Sequence, residues 1–118
     1  MKLVTVSQAQ GRVPVTVFQL QDRVNMGNTA ELEQAARGAY AAGGRDMVID
    51  LSKALSLTSA GIRTILVICK MLADPKMEKV RHLKLVNPTP FVREVLEIAG
   101  LLDSIEVYDS LDEAVASF

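Results

Sequence analysis

The sequence predicts an α/β fold, a mixed, largely parallel β-sheet led by an antiparallel hairpin, with about four helices packed on it. Three observations carry this expectation. Apolar residues switch along the chain between a period of two and a period of three to four. After the opening hairpin, strand-like segments alternate with helical ones, and a parallel strand pair needs such a crossover. The 118 residues are 49% hydrophobic, enough to cover a sheet and too apolar for a disordered chain.

Leu3, Val4 and Val6, then Val13, Val15, Val17 and Leu20, largely alternate with Thr, Ser or Gln about a Gly11-Arg12 turn. That is the pattern of an opening hairpin. From Asn28 the spacing of Leu32, Ala35, Ala36, Ala39 and Gly43 is helical. Asn28 with Glu31 resembles a capping box, and Gly43-Gly44 stops the helix. Met47, Val48, Ile49 and Leu51, interrupted only by Asp50, form the short apolar run of a central strand buried on both faces. A second helix is expected from Ala60 to Ala73, with Ile62, Ile65, Leu66, Cys69 and Leu72 inward and Arg63 and Lys70 sharing the outer face. It stops before Pro75. Leu83 to Val86 reads as a strand, and Thr89 and Pro90 open a third helix that Gly100 closes. Ser104 to Tyr108 is another strand, and Ser110 with Glu113 caps a last helix. No repeat, low-complexity tract or linker divides the sequence, so a single domain over residues 1–118 is expected.

Thirteen Lys and Arg stand against fourteen Asp and Glu, for a net charge of -1. No global field draws such a chain to nucleic acid or to an anionic membrane. The single cysteine, Cys69, excludes an internal disulfide and a zinc site built on paired thiolates. It fits a reducing compartment, so a cytoplasmic location is expected. Met1 to Gln10 lacks the unbroken apolar stretch of a signal peptide, and the longest apolar run, Ile65 to Cys69, is too short to span a bilayer. No membrane insertion is expected.

The two phosphate-cradling glycine loops that an α/β order would suggest are missing. His82 is the only histidine, with no neighbouring carboxylate or cysteine in the sequence to complete a ligand set. Its expected setting is a charge-rich surface strand. Lys76, Lys79, Arg81, His82 and Lys84 form a basic cluster, interrupted by Glu78, that reads as a solvated segment. Cys69 lies on the apolar stripe of the second helix and is expected to be a small core residue. No catalytic residue, cofactor or metal site is expected.

The informative stretch runs from Asp50 through Leu51, Ser52, Lys53, Ala54, Leu55, Ser56, Leu57, Thr58, Ser59 and Ala60 to Gly61, from the carboxyl end of a central strand into the second helix. Ligands of open α/β sheets gather at such ends. Thr58 or Ser59 sits at the amino terminus of the helix, where free N–H groups and the helix dipole favour negative charge. Ser and Thr are also the ordinary capping residues there. The residues alone leave both readings open.

Together with Asp50-Leu51-Ser52 and Leu57-Thr58-Ser59-Ala60-Gly61-Ile62, the later Leu85-Val86-Asn87-Pro88, Val95-Leu96 and Gly100-Leu101-Leu102 stand in an order and spacing that resemble a STAS domain of the anti-sigma factor antagonist type. The resemblance covers nearly the whole chain, including the hairpin and the Ser110-Leu111-Asp112-Glu113-Ala114 helix start. It implies a small signalling module without an enzyme site of its own, which binds an anti-sigma factor that is also its GHKL-type serine kinase. The family's Asp-Ser-Ser/Ala-Gly motif carries the regulated serine, and its place here is Ser59, followed by the matching Ala60 and Gly61. Thr58 is the alternative phosphate acceptor. The chain departs from the pattern twice: Thr58 stands where the family usually has Asp, and Asn25 where the loop before the first helix commonly has another. The implied partner surface comprises Asn25, Met26, Gly27, Ser56, Thr58, Ser59, Ala60, Gly61 and Arg63, with Met26 as an apolar anchor. A competing expectation is a ligand-binding module of the same family that receives a nucleotide or lipid phosphate at this helix start, or an accessory subunit of a transporter.

Overall fold

A computed structural model describes residues 3–73 and 80–118. Two strands come first, β1 (Val4–Gln10) and β2 (Pro14–Val24), then α1 (Thr29–Ala41), β3 (Met47–Leu57) and α2 (Ser59–Leu72). They are followed by β4 (Val80–Val86), α3 (Pro90–Ile98), a single 3-10 turn (Leu101–Asp103), β5 (Ile105–Tyr108) and α4 (Leu111–Ala116). The strands lie side by side in chain order, β1-β2-β3-β4-β5. β1 is antiparallel to β2, and every later pair is parallel. The expected mixed sheet with a leading hairpin and four helices is what the chain forms.

Because the strand order never reverses, right-handed crossovers carry α1, α2 and α3 over the same face. Leu32 and Ala36 of α1, Ile65, Ile68 and Leu72 of α2, and Val92 and Leu96 of α3 accordingly share one core with Phe18, Leu20, Met47, Ile49, Leu51, Leu83, Leu85 and Ile105. The alternate strand positions, Val15, Val17, Val48 and Val86, form a smaller core under Ala114 and Val115 of α4. The run around Val48 is thus buried on both faces, as the unbroken apolar pattern requires. Among the described residues no helix is long and apolar enough to cross a membrane.

Two caps hold as expected: Thr89 accepts from the N–H of Val92 and Ser110 from that of Glu113. Four expectations are corrected. The capping box at Asn28 does not form, because the Asn28 amide is spent on the preceding loop. The Glu31 carboxylate instead accepts from the N–H groups of Leu3 and Val4 at 3.1 and 2.7 Å, tying α1 to β1. Leu66 is 41% exposed, and Ile68 takes the inward place, since positions 61, 65, 68 and 72 of a 3.6-residue helix share a stripe from which 66 is rotated away. Lys84 is no solvated residue: on β4 it is only 4% exposed, its Nζ 3.2 Å from the Glu106 carboxylate and near the rings of Tyr108 and Phe118. The central strand runs on past Leu51 to Leu57, so the hydroxyl-rich stretch is largely strand. The exposed setting expected for Lys76 to Arg81 lies outside the described residues and side chains.

Candidate partner-binding surface

The site is positioned by the long β2–β3 ribbon. β3 pairs with β4 only from Met47 to Asp50. Beyond that it continues beside β2 alone, through two register shifts, to the pair Val24 and Leu57. Parallel strands that end together place their following loops side by side. The loop from Asn25 to Asn28, which leads into α1, therefore lies next to Thr58, which leads into α2. Thr58 staples the two ends, its N–H and its Oγ1 both donating to the Val24 carbonyl at 3.2 and 3.1 Å.

The Asn25 loop is held by its own amides. Asn25 Oδ1 accepts from the Gly27 N–H at 2.8 Å, and Asn28 Oδ1 accepts from the Asn25 N–H at 2.9 Å. Asn28 Nδ2 donates to the Arg23 carbonyl at 2.7 Å. In this loop the Asn25 side chain serves as an acceptor, which an aspartate would do as well, so the loop geometry does not depend on the charge that asparagine omits. The loop leaves Met26 84% exposed.

Thr58 occupies the N-cap position of α2 without capping it, and Ser59 is the first helical residue. Ser59 is exposed. Among the described residues its hydroxyl makes no hydrogen bond, while that of Thr64 donates to the Ala60 carbonyl. Gly61 is buried: a Cβ there would lie 2.5 Å from Leu57 Cδ1 and 2.9 Å from Val24 Cγ1. It seats α2 on the ribbon and does not face outward. Burial pushes the Cys69 thiol up to about 12, which marks it as an inert core group.

Between α1 and α2 runs an open groove of about 600 Å³. Met26, Thr29, Ala30, Glu33 and Gln34 line one side, and Ser59, Ala60, Arg63, Thr64 and Val67 the other. Four of the residues expected from sequence, Met26, Ser59, Ala60 and Arg63, are thus brought together. Asn25, Gly27 and Thr58 shape the end of the groove without lining it, and half-buried Ser56 stays on β3. The α1 wall was missed. Its one signal in the sequence is the polar face of α1 opposite Leu32 and Ala36. Across the groove Glu33 is paired with Arg37 at 3.2 Å.

A second concavity, on the α4 side, holds His82, whose Nδ1 lies 2.7 Å from Asp46 Oδ1. Nearby the Tyr108 hydroxyl donates to Glu106 at 2.7 Å. These polar groups satisfy one another. Among the described residues no three His, Cys, Asp or Glu side chains gather as a metal-holding group.

Comparison with known proteins bears on the family and the fold. The model of the STAS domain family matches residues 6–114. A Bordetella bronchiseptica protein, BtrV, whose name assigns it to the anti-sigma factor antagonists, is 36% identical over 99 residues, covering 84% of this chain and 82% of its own. The crystal structure of an anti-sigma factor antagonist from Mycobacterium paratuberculosis superposes with a TM-score of 0.78 at 27% identity, covering 97% of this chain and 91% of that one. The Bacillus cell fate determinant SpoIIAA in its phosphorylated form shares the fold at a TM-score of 0.70 and 16% identity, over 95% of this chain and 96% of its own. With the sheet order, the helix start at Ser59 and the family match all coinciding, the chain belongs to the STAS domain family and has the fold of its anti-sigma factor antagonists.

Proposed function

We propose that the chain is a single-domain, cytoplasmic, non-enzymatic anti-sigma factor antagonist whose α1–α2 groove binds an anti-sigma factor that is also a GHKL-type serine kinase, and that Ser59 is the phosphate acceptor. The observation that carries this reading is the contrast between two adjacent hydroxyls. Thr58 Oγ1 is bound to Val24, whereas the Ser59 hydroxyl is exposed and unbonded among the described residues, at the edge of the groove. The likeness to BtrV supports the class of partner. In the transfer, Ser59 Oγ attacks the γ-phosphorus of ATP held by the kinase. The bond from that phosphorus to the ADP oxygen breaks, and the hydroxyl proton leaves to a base on the kinase.

The product carries a further charge of about -1.5 to -2. At the first residue of a helix that charge is tolerated by the fold. In a groove built to dock a protein it opposes binding by repulsion and desolvation. Unmodified protein binds the anti-sigma factor, and modified protein releases it. A nucleotide or lipid phosphate at the same place is the competing reading, and it lacks the glycine-rich loop that usually cradles such a group.

Titration of Ser59→Ala and Ser59→Asp against the kinase tests the proposal. The Ala variant is expected to bind as the wild type does and the Asp variant at least about tenfold more weakly. Equal affinity for both, with no phosphate on Ser59 or Thr58 after incubation with kinase and ATP, would refute the switch.

A further inference from the structure

We infer that Arg63 is the internal receiver of the Ser59 phosphate, so that modification both adds negative charge to the groove and withdraws the groove's unpaired cation. The inference rests on the proposal that Ser59 is modified and specifies how the modification acts.

Three observations meet here. Arg63 follows Ser59 by one helical turn, and residues four apart lie on one face of a helix, their side chains within reach. Both line the same groove. Among the described residues Arg63 forms no hydrogen bond or ion pair, while the carboxylate on the opposite wall, Glu33, is already held by Arg37. The competing hydroxyls are also engaged, Thr58 on Val24 and Thr64 on Ala60. Arg63 is therefore the one groove-lining cation among the described residues and is not committed elsewhere.

A phosphate on Ser59 would meet two kinds of donor. The first amides of α2 precede the bond from the Ile62 N–H to the Thr58 carbonyl, so they have no acceptor within the helix. The guanidinium of Arg63 offers a planar fork that fits two phosphate oxygens, which a lysine cannot do. Before modification the same fork stands open to an anionic group of the partner. Afterwards it is turned inward along α2, and the groove changes from one free positive charge to a net negative one.

The test does not need the kinase. Phosphoserine is installed at position 59 during synthesis, and its second ionisation is followed by phosphorus NMR in wild type, Arg63→Gln and Arg63→Lys. A nearby cation favours the dianion, so the wild-type phosphate is expected to titrate about half a pH unit lower than that of the Gln variant, with Lys between them. In the wild type, the Arg63 Nε–H resonance is expected to shift on modification and to follow the same titration. Coincident titration curves for all three folded proteins, or an unmoved Arg63 resonance, would overturn the inference. Should the Gln variant fail to fold, the resonance in the wild type decides alone. Absence of phosphate transfer from kinase and ATP to the unmodified chain would instead refute the switch and leave this result standing.

Discussion

Thr58 and Ser59 are neighbours with similar chemistry, yet their surroundings give them separate work. Thr58 donates to a strand carbonyl and closes the gap between β2 and α2; Ser59 donates to nothing described. Thr58→Ala is therefore expected to cost about 0.5–1.5 kcal/mol, the worth of one intramolecular hydrogen bond. Ser59→Ala should stay within about 0.5 kcal/mol, as for other exposed changes. Urea denaturation of the two variants checks the order. The sequence shows two hydroxyls at a helix start but not which one is tied down, because the partner of Thr58 lies 34 residues earlier. The same blindness affects Leu66. Ile62, Ile65, Leu66, Val67 and Ile68 present apolar groups around most of α2, so periodicity identifies the helix without fixing its rotation. Ile65→Ala is expected to lose about 2–5 kcal/mol through the cavity it leaves. Leu66→Ala should lose less than about 1 kcal/mol, because its side chain already meets solvent.

Gly61 shows how an element is seated. Alanine is the better helix former by about 1 kcal/mol, so propensity alone favours Gly61→Ala. A methyl group at that point would stand within 3 Å of both Leu57 and Val24, and overpacking of that kind costs about 1–3 kcal/mol. Gly61→Ala is thus expected to destabilise the chain on balance, with a lower thermal midpoint by calorimetry. An unchanged or higher midpoint would mean that α2 shifts without penalty. The first turn of α1 carries a related lesson. Asn28 and Glu31 have the spacing of a capping box, but Asn28 holds the loop behind it and Glu31 reaches the start of β1. A local pattern describes what neighbours can do for one another. It is overruled when a segment 27 or 28 residues away in sequence offers charge-assisted bonds from N–H groups that would otherwise go unpaired.

At the scale of the whole molecule, the alternation of strands and helices was enough to foresee the sheet, since each parallel neighbour demands a crossover of the observed length. The α2 side of the groove was legible in part, because Ser59, Ala60 and Arg63 lie within one helical turn of each other in the chain. The other side is made only when β2 and β3 run in parallel to a common end at Val24 and Leu57 and set α1 beside α2. Thr29, Ala30, Glu33 and Gln34 carry no mark of this in their own neighbourhood. Met26 belongs to that assembled surface and to no core: it is 84% exposed on a loop whose bonds are made by Asn25 and Asn28. A charge placed there meets water in the free protein and, in the proposed complex, a desolvated surface, so its cost is expected to fall on binding. Met26→Asp is expected to leave the thermal midpoint within about 1 °C of wild type while weakening capture of the anti-sigma factor by at least about tenfold, or about 1.4 kcal/mol. Calorimetric titration beside a thermal melt reads both quantities on the same sample. Loss of stability in step with affinity would return Met26 to the packing of its own loop, and unchanged affinity would move the docking surface away from this end of the groove.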